Sequence, residues 1–359
     1  MGLFTQNKKT FGLDVSDRVI RAVELKGQGK SLAFEAYSWL ELPEGVIRSG
    51  EILEPAAFSE AVKECLNRPR TGRFTTKRVI ACLPERKSFI KILDLSKSDE
   101  TAIEEKIGWE IVQHVPYNQE EIYLDWETLQ TDDPETTRVI TNTTPRTIAD
   151  TYVSALEEAD LQPVNLVIES LAIARSLFTD EQEKEANALI IDLGRQRTSF
   201  FIFDRGAVRF SASAQNISGS LMTKLIAEKL RLTEEQAEQA KRLCGLDPSR
   251  GKAAIPKLLM PVIDRLIQRS FRIINFYKNS VPDGRNVEKV VLVGGGANLR
   301  NIAKEMTQIM NYPVEIGDIW SRFPQNKKKK LISKGEQLSQ ATVLGLGMLG
   351  LNSTFSSRQ

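Results

Sequence analysis

Hydrophobic and polar positions along the chain alternate in short runs of period two, broken by longer stretches of helical spacing. Near the start, FGLDVS, VIRAVELK and KSLAFEAYSWLELP read as a meander of three strands, the last two separated by the Gly27–Gly29 turn. A helix is expected from about Pro55 to Leu66, with proline near the first position, where its missing N–H is no loss. KRVIACLP, Lys77–Pro84, reads as a buried strand. From about Glu85 to Pro163 the pattern changes. A strand at SFIKILDL precedes a helix that Ser98 or Asp99 can cap, with acids in its first turn. Two more strands, EIYLDWETLQ and TRVITNTT, meet across the acidic turn TDDPETT, and a helix runs from about Pro145 to Ala159. This β-α-β-β-α set could form a small domain of its own.

Beyond it, ESLAIARSLF reads as a helix, and NALIIDLGRQRTSFFIFDRGAVRFSASAQN holds three strand-like runs. A helix-rich region spans about Ser218 to Ser280, divided near Pro248–Lys252. The strand KVVLV, a further strand at YPVEIGDI and a last helix from about Glu336 to Leu349 complete the pattern. One echo stands out. FGLDVSDRVIRAVEL and LIIDLGRQRTSFFIF are each strand, aspartate, turn, strand.

The stretch KVVLVGGGANLRNIAKEM adds a glycine triplet, Gly294, Gly295 and Gly296. A helix opened or capped by Asn298 is expected after it, with Leu299, Ile302, Ala303 and Met306 on one face. Such a junction leaves N–H groups free and lets a flat ring or a phosphate approach the backbone. A tight turn built from glycine is the equal alternative on this motif alone.

Composition narrows the functional classes. The 359 residues suffice for two domains, and 41% hydrophobic with 27% charged residues is ordinary for a globular chain. A net charge of +2 gives no basic stripe, so nucleic acid is not an expected partner. Lys327–Lys330 reads as a solvated loop, with an anionic membrane or partner contact as the other reading. No apolar run is long enough to span a bilayer, no signal-peptide core is present, and Gln6 breaks the myristoylation pattern begun by Gly2. Cys65, Cys82 and Cys244 are far apart and read as free thiols of a reducing compartment. With His114 the single histidine, a His-rich zinc site or a Ser-His-Asp triad built elsewhere is excluded.

The duplicated hairpin carries the chemistry. Asp14 and Asp192 each sit at the mouth of a tight turn, where two turns can grip a phosphate chain from opposite sides. Their carboxylates suit Mg²⁺ held through water, since that ion dehydrates reluctantly. Either aspartate alone would be an ordinary turn residue.

At this point the chain resembles the actin-like ATPases, and within them the PilM family of type IV pilus assembly proteins, from about Phe11 to Leu351. Eight stretches carry the resemblance in order: GLDVSDRVIRAVEL, KRVIACLPERKSFIKILDL, GWEIVQHVPYNQEEIYLDWETL, SALEEADLQPVNLVIESLAIARSL, IIDLGRQRTSFFIFDRGAVRFSA, LRLTEEQAEQAKR, VLVGGGANLRNI and QATVLGLGMLGL. It implies an α/β, two-lobed actin-like ATPase fold of duplicated ribonuclease H-like domains, with an inserted small α+β subdomain. The first lobe would take residues 1–84 and 164–186, closed by the helix at 336–351. The insertion would take 85–163, and the second lobe 187–335, with a helical subdomain at about 218–284.

The resemblance also assigns roles. Asp14 and Asp192 would face the waters of Mg²⁺. Ser16 stands where the family has glycine in the first phosphate turn. Arg21 stands in place of a lysine that reaches the phosphates, keeping the charge but not the geometry. Asp192, Gly194 and Thr198 would form the second phosphate loop. Glu238 and Lys241 would reach ribose or base, although an exposed ion pair is their other reading. Gly294, Gly295 and Gly296 would hold the adenine end. Asp17 adds a second acid that repels phosphate unless it turns outward or joins the metal shell, and Arg195 and Arg197 replace small residues. Of a glycine pair expected at Ser218 and Gly219, one member is present.

As implied function, this is a cytoplasmic adaptor that binds ATP or ADP with Mg²⁺ and hydrolyses it weakly or not at all. It would hold the N-terminal tail of a PilN-like membrane protein in a groove beside the insertion, whose position is shared with the cell-division protein FtsA. It would join that protein to the pilus motor ATPases and the inner-membrane platform, sit peripherally at the inner face of the cytoplasmic membrane, and could self-associate. A filament-forming cytoskeletal protein and a small-molecule kinase are the alternatives on the same fold.

Overall fold

The computed structural model describes residues 9–131, 133–281, 283–324, 332–333 and 335–351. Gly2, Gln6, the Lys327–Lys330 cluster and the terminal NSTFSSRQ lie outside the described residues. The meander is β1 (Phe11–Val15), β2 (Val19–Lys26) and β3 (Ala33–Glu41). A tight hairpin of β4 (Ile47–Arg48) and β5 (Glu51–Ile52) leads to α1 (Pro55–Asn67), the edge strand β6 (Thr71–Gly72) and β7 (Arg78–Leu83). The insertion is β8 (Phe89–Ser96), α2 (Glu100–Ile111), β9 (Ile122–Leu129) and β10 (Thr136–Pro145). The side chain of Asp99, not Ser98, caps α2 by accepting from the Ala102 N–H at 2.9 Å. The chain returns through α3 (Arg146–Glu158), β11 (Gln162–Ile168), α4 (Glu169–Leu177) and the single turn α5 (Asp180–Glu183).

The second half repeats the plan. Strands β12 (Asn187–Leu193), β13 (Thr198–Asp204) and β14 (Ala207–Ala214) form a meander, followed by α6 (Gly219–Leu230), α7 (Glu234–Cys244) and α8 (Ala254–Ser280). Then come β15 (Lys289–Val293), α9 (Ile302–Met310), β16 (Val314–Ile316) and a closing helix, Ala341–Leu349. The first large sheet runs β11-β7-β1-β2-β3-β6 and the second β16-β15-β12-β13-β14. In each, the meander is antiparallel and its first strand pairs in parallel with an outer strand, β1 with β7 and β12 with β15. The echo in the sequence is therefore a duplicated sheet. The insertion has its own antiparallel sheet, β8-β10-β9, closed by Ile103 and Ile107 of α2 against Leu93, Leu95 and Val139.

Strand parity decides what each lobe buries, because successive side chains point to opposite faces. In β12, Leu189, Ile191 and Leu193 join the core under α6 and α8, with Leu259, Ile263 and Tyr277. Ala188 and Ile190 point the other way. They meet Val23 and Leu25 of the first sheet, Ile173 of α4 and Val343, Leu344 and Met348 of the closing helix. This last core belongs to both lobes. On the first sheet, Phe11, Leu13 and Val15 pack toward α1 and α3. The helix α3, which the sequence expectation placed with the insertion, puts Tyr152, Ala155 and Leu156 in this first-lobe core.

Candidate functional site

The same parity places both aspartates. Asp14 shares its face of β1 with Gly12, which the closing helix covers so closely that an added Cβ would meet the Gly347 nitrogen at 2.5 Å. Asp192 shares its face of β12 with Ala188 and Ile190. Both carboxylates thus lie on the faces that look toward the opposite lobe, at the strand ends that open into the cleft.

Register pairs Asp14 with Arg21 directly across the hairpin, and Arg21 Nη1 donates to Asp14 Oδ2 at 3.2 Å. Burial nevertheless pushes the Asp14 carboxyl up to about 6, against the pull of Arg21. Asp192 keeps an open edge to the cleft, yet burial, followed by the nearby charge of Glu169, pushes it up to about 7. The negative charge of Asp14 adds to this rise, so the two aspartates share one electrostatic field.

Two groups absent from the expected set complete this centre. Glu169 opens α4, and its carboxylate takes a hydrogen bond from Nη2 of Arg197 in the second hairpin. That carboxylate, first among several, holds the Arg197 guanidinium above its usual pKa. Glu85 accepts from the backbone N–H and the hydroxyl of Ser170, both at 3.0 Å, and burial raises its pKa. Both carboxylates lie in stretches that carry the resemblance, but no role is assigned to them there, and each finds its partners through the fold. Arg197 is thus placed: its charge is directed at Glu169. Arg195 is exposed and offers its backbone carbonyl to Ser220 N–H at 2.8 Å.

The two turns differ in how they are held. Ser16 closes the first: its hydroxyl donates to the Val19 carbonyl at 2.9 Å and accepts from the Val19 N–H at 3.2 Å. Asp17 turns away from that hairpin. Its carboxylate accepts from the N–H groups of Ser49 and Gly50, each at 2.9 Å. These successive residues of the β4–β5 turn have φ of 54° and 82°, and consecutive amides in such a turn form an anion nest. Of the outcomes weighed for Asp17, the structure shows the outward one. Replacing Asp17 with Ala removes two hydrogen bonds to a charged group, and is expected to cost about 2 kcal/mol of folding stability. Urea unfolding measures that loss, and the nucleotide response described below should survive it.

In the second turn, Gly194 N–H donates to Arg197 O at 2.9 Å, and Gly194 O accepts from Gly219 N–H at 3.0 Å. Ser218 caps α6. Thr198 is not brought to the cleft surface: it is fully buried, and its hydroxyl donates to the Ile217 carbonyl at 2.7 Å. Lys241 reaches back to this loop, donating to Gly219 O at 2.9 Å and to Thr223 Oγ1 at 2.7 Å, and paired with Glu238 at 2.6 Å. Burial opposes the charge on Glu238, but Lys241, Thr223 and Arg242 together hold its carboxyl down to about 2. Burial lowers Lys241 as well. The pair is a half-buried brace between α7 and the start of α6 rather than an exposed surface pair.

The glycine triplet lies beside Asp192. Gly294 has φ of 82°, and a Cβ there would meet Asp192 Oδ1 at 2.1 Å. Gly296 is crowded by Leu193, whereas nothing stands within 4 Å of the Cβ direction of Gly295. That open backbone face suits the approach of a flat ring. The helix expected to open at Asn298 begins only at Ile302. Gly295–Asn298 forms a 3₁₀ turn, ended by the extended Leu299 (ψ 120°) and the left-handed Asn301 (φ 65°), and the Asn298 side-chain amide donates to the carbonyls of Gly295 and Gly335 at 3.1 and 3.0 Å. Among the described residues no group of three or more His, Cys, Asp or Glu could cage a metal. Two buried carboxylates with raised pKa do suit a cation that brings its other ligands with it as phosphate and water.

Two sheets of one plan, facing each other across a cleft with an aspartate turn on each side, define an actin-like ATPase fold. Within that class the chain belongs to the PilM family: the family model for the type IV pilus assembly protein PilM matches residues 12–350. Among solved structures, a PilM-PilN type IV pilus biogenesis complex superposes with a TM-score of 0.78 at 24% identity, covering 96% of this chain and 99% of that one. MreB5 of Spiroplasma citri, solved bound to ADP, has the same fold at a TM-score of 0.55 and 14% identity, covering 94% of this chain and 95% of that one. The cell division protein FtsA of Pseudomonas aeruginosa is 29% identical over 181 residues, 44% of this chain. The match spans 42% of the length of that relative.

Proposed function

We propose that this chain is a nucleotide-binding adaptor of type IV pilus assembly. The observation that carries the reading is the pairing of Asp14 and Asp192 across the cleft, beside the open backbone of Gly295, in a member of the PilM family. The cleft would take ATP or ADP with Mg²⁺. Asp14 and Asp192 would hold the hydrated ion, and the two hairpin turns would face the phosphates. Arg21 balances the phosphate charge, Lys241 and Glu238 brace the loop, and the base lies against Gly294–Gly296. The ion supplies the positive charge that lets both aspartates ionise. Weak hydrolysis is part of this reading, since the Glu169 carboxylate at the start of α4 is already paired with Arg197.

The partner is the N-terminal tail of a PilN-like membrane protein. A recess of about 670 Å³ lies beside the insertion, lined by Asn118, Gln119, Glu120 and Arg146. Arg146 stacks over Tyr123 at 4.2 Å, Tyr123 donates to Asp150 at 2.9 Å, and Trp109 is 74% exposed on α2. Polar anchors beside exposed aromatic surface suit an extended peptide. No described helix is long and apolar enough to cross a membrane. In this reading attachment to the inner membrane runs through the tail of this partner. Contacts with the motor ATPases and self-association complete the adaptor role.

Thermal unfolding with ATP, with and without Mg²⁺, is the direct test. A ligand at ~100 times its Kd stabilises by about 2.7 kcal/mol. Each kcal/mol moves the midpoint by roughly 2–4 °C in a domain of this size, so a rise of roughly 5–10 °C is expected. No shift at millimolar Mg²⁺-ATP would sink the nucleotide reading. A tail peptide that fails to bind would sink the adaptor reading.

A further inference from the structure

The charged side chains around the cleft fall into two groups of opposite balance. On the aspartate side, Asp14, Glu85, Glu169 and Asp192 act on one another, and two cations answer them: Arg21 pairs with Asp14 and Arg197 with Glu169. That side is short of positive charge. Between the second turn and α7 the balance is reversed. There Glu238 faces two cations, Lys241 at 2.6 Å and Arg242 at 2.9 Å. Arg195, central in the turn, adds a third. Its Cα and the Lys241 Nζ each lie 3.7 Å from where a Cβ on Gly219 would stand. Burial is the main cause of the lowered Lys241 pKa, and the charges of Arg242 and Arg195 add to it. Three cations around one carboxylate repel each other, and an anion placed among them is attracted by all three.

The other donors of this corner are already used. At the start of α6, Gly219 N–H goes to Gly194 O at 3.0 Å, Ser220 N–H to Arg195 O at 2.8 Å and Leu221 N–H to the Ser218 hydroxyl at 3.3 Å. These groups hold the turn and are not open to a ligand. Lys241 has three protons, and it donates to Gly219 O, to Thr223 and to Glu238. Arg195 differs. The residue is exposed, and among the described residues its guanidinium has no hydrogen-bond or acidic partner. Its five N–H donors are therefore available.

We propose that the Arg195 side chain is a phosphate-binding group of the cleft, meeting the polyphosphate of the bound nucleotide from the second lobe while the aspartate side takes the cation. This rests on the nucleotide reading given above and names a residue that recognises phosphate within it. A guanidinium suits the task, because its planar fork meets two phosphate oxygens at once. The turn itself is held through the backbone, by Gly194 N–H on Arg197 O and by Arg195 O on Ser220 N–H, so it does not depend on this side chain.

The test is the affinity for ATP in the presence of Mg²⁺, measured by calorimetric titration for the unaltered chain, Arg195→Ala and Arg195→Lys. Arg195→Ala should bind ATP about tenfold or more weakly, the loss expected for a hydrogen bond to a charged group. Arg195→Lys keeps the charge without the fork and should recover part of the loss. Added salt should weaken the unaltered chain more steeply than Arg195→Ala, since salt screens a charge that only the former carries. The thermal midpoints of the nucleotide-free variants should match that of the unaltered chain. Undiminished affinity in Arg195→Ala, or a loss with the salt dependence unchanged, overturns this proposal and leaves the nucleotide reading standing. A lowered midpoint in nucleotide-free Arg195→Ala, with affinity lost equally in Arg195→Lys, would make the side chain a prop of the turn and overturns it too. An unaltered chain that binds no ATP overturns the functional reading, and this proposal with it.

Discussion

Replacing Asp192 with Asn should stabilise the nucleotide-free chain while abolishing its response to Mg²⁺-ATP. Burial raises the Asp192 carboxyl from 3.8 to about 7. A carboxyl with a raised folded-state pKa binds a proton more readily folded than unfolded. Stability therefore falls as pH rises from about 4 to about 7 and stays at its lowest above that. Each unit corresponds to 1.36 kcal/mol, and with the open edge of the residue allowed for, the net penalty at pH 8 is about 2–3 kcal/mol. Asparagine has no charge to bury. The variant should exceed the original by about that amount at pH 8, with the gap closing toward pH 4. Denaturant unfolding across this range measures it. A gap that does not vary with pH would show that the buried charge is not its source. An undiminished Mg²⁺-ATP response in the variant would remove Asp192 from the metal site.

The second large effect is steric. Gly345 lies where the closing helix crosses α4, and a Cβ there would stand 1.7 Å from the carbonyl oxygen of Ala172. That atom is backbone in a packed helix, so it can yield only if the helices part. Both helices line the core shared by the two lobes, with Ile173 on one and Val343 and Leu344 on the other. Gly345→Ala should cost about 3 kcal/mol, the upper end for overpacking a core. The thermal midpoint should fall by roughly 6–12 °C. Gly335→Ala, at a position with no atom within 4 Å, is the control and should leave the midpoint where it is. An equal, small effect from both substitutions would mean that the helices are not held at this distance.

Much of this was legible before any coordinates. The two aspartate hairpins, the strand before the glycine triplet and the helices at Pro55 and Glu169 rest on patterns local in sequence, and local patterns survive folding. What escaped was set by distant partners. Asp17 looked like a charge aimed at phosphate, and only a turn 32 and 33 residues later turns it outward. Thr198 looked free to meet a ligand until its hydroxyl was seen on Ile217, 19 residues on. Arg197 had no place until Glu169, 28 residues earlier, supplied one. The late start of α9 lies in the backbone, since Leu299 is extended (ψ 120°) and Asn301 is left-handed (φ 65°), while the Asn298 side chain bonds to the carbonyl of Gly335, 37 residues away. By sequence order the helix α3 reads as part of the insertion. Its apolar face, Tyr152, Ala155 and Leu156, is matched by α1 and not by the small sheet.

The neighbour of β1 on its cleft-side face is the closing helix, encoded more than three hundred residues later. A ribosome releases the chain from its N-terminus, so the first strand emerges long before the helix that covers it. Through most of synthesis that face of the first sheet has no permanent cover, and the core shared by the lobes stays incomplete. The β8–β10 unit, whose small sheet is closed by its own helix α2, can settle early. The nascent molecule thus acquires its insertion before its cleft, and the helix at Ala341–Leu349 completes the core that the two lobes share.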